Sequence, residues 1–70
     1  MYIEIEKNIE NIKSQLKIDS DNFQLHHDIG LEYERLGDID LALDSYGRAL
    51  SIEPNCPDSL NAIKRLEKVR

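Results

Sequence analysis

The sequence predicts an all-α protein, and three observations support that prediction. Apolar residues recur at alternating spacings of three and four, which is the period of an amphipathic helix. The first three periodic segments end at a polar cluster, a glycine and a proline, respectively. No strand or hairpin signal competes with this pattern. We therefore expect about four helices, at approximately 2–18, 22–36, 39–52 and 57–69, with sequential helices packed antiparallel.

The first predicted helix carries a single apolar stripe. Its members follow one another at intervals of three or four residues and are Tyr2, Ile5, Ile9, Ile12 and Leu16. The polar cluster 19–22 ends this helix, and Asp21 followed by Gln24 resembles a capping box for the second helix. The stripe also has coiled-coil spacing, so two alternatives stay open: packing on the second helix of the same chain, or on a second copy of the chain.

The boundary between the second and third predicted helices is a stop signal followed by a start signal. Gly37 ends the second helix, because a glycine there can take the left-handed conformation. Asp38 follows at once as a candidate N-cap of the third helix, and Pro54 follows that helix's end.

The fourth helix begins near Pro57. Its apolar face is expected to be Leu60, Ile63, Leu66 and Val69.

Two glycines lie inside predicted helices, where each costs about 0.5–1 kcal/mol relative to alanine. Gly30 faces Ala42 and Ala49, and small residues at these places let the second and third helices approach closely. Close packing of this kind does not account for Gly47. We therefore regard Gly47 as a candidate contact with a second chain.

Composition limits the classes of function. The 70 residues suggest one domain, spanning 1–70, and the net charge of −5 argues against general nucleic-acid binding. The N-terminal residues form neither a signal peptide nor a membrane span, and Cys56 is a lone cysteine. These features predict a soluble, cytoplasmic protein that does not bind membranes.

We find no pattern of residues that would support catalysis or metal binding. His26 is expected to be half-buried and His27 to face outward, and with Cys56 they lack the ligand spacing of a zinc site. A calcium loop starting at Asp19 fails, because its sixth and twelfth places are Gln24 and Gly30. No nucleophile motif or phosphate-binding loop is present. The sequence thus predicts no enzymatic activity, no metal and no cofactor.

Residues 23–56 resemble one tetratricopeptide repeat (TPR), whose period is about 34 residues. The residues that carry the resemblance are Ile29, Gly30, Tyr33, Gly37, Ala42, Tyr46, Ala49 and Pro54. The resemblance implies part of a right-handed superhelix. Residues 1–22 then correspond to the second helix of a preceding repeat, and 57–70 to a C-terminal capping helix. Lys64 holds the place that Gly30 holds in the full repeat, which favours a cap over a continued array.

The resemblance also implies a protein-interaction module that binds a partner peptide or helix on its concave face. That face would carry Gln24, His27, Leu31, Glu34, Arg35, Asn61, Arg65 and Lys68. His27 and Leu31 hold the places where a lysine and an asparagine clamp a terminal carboxylate in other members, so an amphipathic or acidic segment suits this face better. The alternative function is a self-assembling homodimer, formed through the stripe of the first helix and Gly47.

Overall fold

A computed structural model describes the backbone of residues 2–69 and the side chains of residues 2–68. It contains four α-helices: α1 (Tyr2–Ile18), α2 (Phe23–Leu36), α3 (Ile39–Ile52) and α4 (Pro57–Val69). The all-α prediction and its four helices are confirmed, with α2 beginning one residue later than expected. The described residues contain no strand.

The ends of α2 follow from two residues with different backbone roles. Asn22 is the N-cap, because its backbone is extended and its Oδ1 accepts a hydrogen bond of 3.0 Å from the Gln24 amide. The predicted cap at Asp21 is therefore wrong by one residue. Gly37 has a φ of +93°, the left-handed conformation that the sequence predicted, and its N–H donates to the Glu34 carbonyl.

The next two helices begin as expected. The Asp38 carboxylate caps α3 by accepting a hydrogen bond of 3.1 Å from the Leu41 amide. Glu53 is the C-cap of α3, directly before Pro54. Cys56 precedes α4, its side chain is buried, and its carbonyl accepts from the Leu60 amide at 3.1 Å.

The helices pack in chain order, α1 on α2, α2 on α3 and α3 on α4. The core formed between them contains Ile9, Ile29, Tyr33, Ala42, Tyr46, Ala62 and Leu66. Gly30 has a specific place in this packing: a Cβ added there would lie 2.7 Å from Tyr46 Cε1. Glycine is therefore required by the ring of Tyr46, rather than by direct contact between two backbones.

The stripe of α1 packs within its own chain. Ile9 is buried, and Ile5, Ile12 and Leu16 are partly buried against the same core, whereas Tyr2 is 60% exposed. Of the two alternatives for this stripe, packing on α2 is the one present in the structure. The apolar residues of α1 that a coiled coil with a second copy would need are therefore already packed against the core of their own chain.

The buried face of α4 differs from the one that we expected. Ser59, Ala62 and Leu66 are buried, whereas Leu60 is 41% exposed and Ile63 is only partly buried. The small side chains of Ser59 and Ala62 let this face of α4 approach its neighbours. With that face turned to the core, Leu60 lies on the outer side of the helix. The prediction that Leu60 is a core residue is wrong. Val69, the last member of the expected face, has a side chain outside the described residues.

Candidate functional site

The candidate site is the surface shared by α2 and α4, which we call the groove face. It carries the eight residues predicted for partner binding: Gln24, His27, Leu31, Glu34 and Arg35 on α2, and Asn61, Arg65 and Lys68 on α4. These helices are not consecutive, yet two side-chain contacts join them. One links His27 to Ser59, and the other links Glu34 to Arg65.

A three-residue polar network connects the groove face to the core. Arg65 Nη2 lies 2.6 Å from Glu34 Oε1 and 2.7 Å from Oε2, so one nitrogen holds both carboxylate oxygens. The Tyr46 hydroxyl donates a further hydrogen bond of 2.9 Å to Glu34 Oε1. Because the three residues lie on α4, α2 and α3, a single carboxylate ties three helices together.

The environment of Tyr46 changes its acidity. Burial of the ring, and then the hydrogen bond to Glu34 and its negative charge, raise the pKa of Tyr46 well above its usual value. The Arg65 guanidinium acts in the opposite direction but does not cancel the rise. The phenol therefore stays protonated and remains a hydrogen-bond donor to Glu34 at neutral pH.

His27 does not face outward, contrary to our expectation. Its side chain is half-buried, its Nδ1 lies 2.9 Å from Ser59 Oγ, and its ring centroid is 5.2 Å from that of Tyr46. Ser59 is fully buried and is also contacted by Cys56 Sγ at 3.5 Å. His27 thus links α2 to Ser59 on α4 and to Tyr46 on α3. Its side chain positions the helices beneath the groove face and contributes little to the exposed surface. His26 is half-buried, as expected.

Ser59 is a buried residue of this region that the sequence did not predict. Its spacing with Ala62 and Leu66 is three and then four, so it belongs to a second helical stripe that shares Leu66 with the expected one. A small polar residue at that place was the available signal, since it can approach a neighbouring helix and bond to it.

The exposed part of the groove face has an apolar centre and charged borders. Leu31 is 40% exposed, and it lines an open depression of about 380 Å³ together with Glu32, Glu34 and Arg35. The Arg35 side chain is 67% exposed and lies 3.4 Å from Glu32 Oε1. The remaining predicted members, Gln24, Asn61 and Lys68, are exposed.

The predicted self-association residues lie elsewhere. Four of the five stripe residues of α1 are at least partly buried in the chain's own core, and Tyr2 is exposed. A Cβ added at Gly47 would meet no atom within 4 Å, so intramolecular packing does not require glycine there.

The described part of the chain also lacks two kinds of feature. Within residues 2–69, no three histidine, cysteine or acidic side chains come together in a way that could hold a metal ion. None of the four described helices is both long enough and apolar enough to cross a membrane.

Comparison with known proteins addresses the centre of the chain. The profile of the family described as tetratricopeptide repeat matches residues 23–56, the segment on which the resemblance was drawn. A comparison with curated protein sequences found no match. The matched segment contains the whole of α2 and α3, with the Gly37–Asp38 turn between them. Residues 23–56 thus form a tetratricopeptide repeat, which the helices α1 and α4 flank in the structure.

Proposed function

We propose that this protein is a non-catalytic interaction module that binds a peptide or helix of a partner protein on the groove face. Tetratricopeptide repeats generally serve protein–protein interaction, and the repeat at residues 23–56 supports that class of function here. The proposal includes a cytoplasmic setting, in which the lone Cys56 stays reduced.

The observation that carries the proposal is the exposure of Leu31. A leucine that is 40% exposed beside an open depression offers apolar area that a partner side chain can cover. The surrounding residues of the groove face are polar or charged, which matches the usual arrangement of an apolar centre with a polar rim.

A peptide-display selection tests this proposal. A library of random peptides of about 12 residues is selected on the wild-type chain, and the affinities of the selected peptides are measured by fluorescence anisotropy. Leu31→Asp should weaken binding about tenfold or more, because the partner loses its apolar contact and meets a charge.

Leu41→Asp is the matched control. Leu41 is 43% exposed, similar to Leu31, but it lies on α3 and lines a different depression, together with Lys13 and His26. Its substitution should leave peptide affinity unchanged. Selected peptides that bind both variants as tightly as the wild type would show that the groove face is not the binding surface.

Self-association is the second candidate function, and the exposure of Leu60 supports it. Leu60 and the partly buried Ile63 lie next to each other on α4, and Tyr2 and Ile3 are exposed on α1. A second copy that covered either surface would bury apolar area. Multi-angle light scattering should then give twice the monomer mass, and Leu60→Asp should restore the monomer. A mass that stays monomeric at all concentrations would exclude the homodimer.

A further inference from the structure

The groove face carries a charge opposite to that of the whole chain. Among its eight residues, Arg35, Arg65 and Lys68 are cationic and Glu34 is anionic, and Glu32, which lines the same depression as Leu31, adds a second negative charge. With histidine counted as neutral, three positive and two negative charges leave this surface at +1, whereas the net charge of the chain is −5. An acidic protein with a locally cationic surface attracts an acidic partner to that surface and repels it elsewhere.

Arg65 is held in place yet keeps hydrogen-bond donors for another group. Both of its contacts with Glu34 use Nη2, at 2.6 and 2.7 Å, so neither Nε nor Nη1 donates to Glu34. A guanidinium has five N–H donors, and three of them belong to Nε and Nη1. The side chain is 57% exposed, so a second anion has access to it.

Glu34 is also held, which fixes the position of Arg65. The Glu34 side chain is only 25% exposed, and the buried Tyr46 donates a hydrogen bond to it. A side chain whose orientation is already set loses less conformational entropy on binding. The Arg65 guanidinium is therefore already oriented for a carboxylate in the absence of a partner.

We propose that the groove face recognises an acidic amphipathic segment of a partner protein, with an internal Asp or Glu carboxylate bound to Arg65 and an adjacent apolar side chain on Leu31. This inference rests on the proposed function, because it assumes that a partner segment occupies the groove face. Lys68, the next α4 residue of the groove face after Arg65, adds positive charge to the carboxylate end of the site. Arg35 lies one helical turn from Leu31 on α2, but it is paired with Glu32 at 3.4 Å, so the positive charge of the site comes mainly from Arg65 and Lys68.

The test uses the peptides selected on the wild-type chain. The proposal predicts that they are enriched in Asp and Glu next to apolar residues, relative to the unselected library. Replacing the acidic residue of a selected peptide by its amide should weaken binding about three- to tenfold. Arg65→Gln should lower the affinity for the acidic peptide by a similar factor and should leave the affinity for the amide peptide unchanged. This double-mutant cycle assigns the carboxylate to Arg65.

Arg48→Gln is the matched control, because Arg48 is 65% exposed and pairs with Asp44 within α3, away from the groove face. It should not change peptide affinity. Lys68→Gln is a second variant, and it leaves the Glu34–Arg65 contact intact. It should lower the affinity for the acidic peptide about twofold and make that affinity less dependent on salt concentration. Circular dichroism checks that each variant stays helical.

Different results would reject different claims. Peptides that depend on Leu31 but are neutral or basic, and that are insensitive to Arg65→Gln, would overturn this inference and leave the proposed function standing. Failure to select any peptide that depends on Leu31 would overturn both. If light scattering showed that the wild-type chain self-associates and Arg65→Gln abolished this, a second copy would occupy the groove face and the inference would be wrong.

Discussion

The hydroxyl of Tyr46 donates a 2.9 Å hydrogen bond to Glu34, which joins the centre of the core to the groove face. The ring of the same tyrosine is fully buried and fills the space that Gly30 leaves open. Glu34 in turn accepts from Arg65 on α4. Tyr46 therefore has two separable roles, packing through its ring and positioning Glu34 through its hydroxyl, and substitutions can isolate each of them.

The first prediction concerns the hydroxyl. Tyr46→Phe keeps the ring and removes the hydrogen bond to Glu34. We expect the free energy of unfolding to fall by about 1 kcal/mol, which is below the roughly 1.5–3 kcal/mol that hydrogen bonds to charged groups contribute, because Glu34 keeps Arg65 and partial solvent access. Urea denaturation followed by circular dichroism measures the change. Tyr33→Phe is the control, since Tyr33 is a core tyrosine that is not bonded to Glu34; an equal loss in both variants would contradict the role of the Glu34 bond.

The second prediction concerns alkaline pH. Burial and Glu34 raise the pKa of Tyr46 above the usual value of about 10, so folding favours the neutral phenol. The resulting stability is fully present below pH of about 10 and is lost as the pH rises toward the folded-state pKa. We therefore expect the free energy of unfolding to fall above about pH 10, and to fall less steeply in Tyr46→Phe. Urea denaturation of both proteins across this range gives the two slopes, and parallel slopes would show that Tyr46 does not contribute.

The helices and the central repeat could be predicted because their signals are local. Gly37 and Asp38 end one helix and begin the next through their own backbone and side-chain bonds, whatever the rest of the chain does. The sequence predicts the cap of α2 one residue too early because Asp21 and Asn22 are both good caps, and only the backbone conformation at Asn22 decides between them.

The details of the groove face could not be predicted, because they depend on contacts between distant residues. His27 and Ser59 are 32 residues apart, and their hydrogen bond turns His27 inward. The stripes Leu60–Ile63–Leu66 and Ser59–Ala62–Leu66 both have helical spacing. The choice between them depends on which surface of α4 meets α3, and periodicity alone carries no information on that.

The third prediction concerns the space beside Tyr46. In Gly30→Ala, the new methyl group would lie 2.7 Å from Cε1 and 2.9 Å from Cδ1 of a ring that is fully buried and has little room to move. Overpacking of this kind costs about 1–3 kcal/mol and exceeds the gain of about 1 kcal/mol in helix propensity. We expect a net loss of about 1 kcal/mol in urea denaturation. A variant as stable as the wild type would mean that the ring shifts without cost.

The fourth prediction concerns Gly47, which lies in α3 as Tyr46 does but has open space around it. A Cβ there meets nothing within 4 Å, so Gly47→Ala gains helix propensity without a clash. We expect the free energy of unfolding to rise by about 0.5–1 kcal/mol. Gly30→Ala is the matched control, because it makes the same chemical change in a helix and should change the stability with the opposite sign.

Light scattering on the same sample tests the suggested contact of Gly47 with a second chain. If the wild type self-associates through Gly47, alanine should weaken the association while stabilising the monomer. A loss of monomer stability in Gly47→Ala would contradict the open environment of this residue.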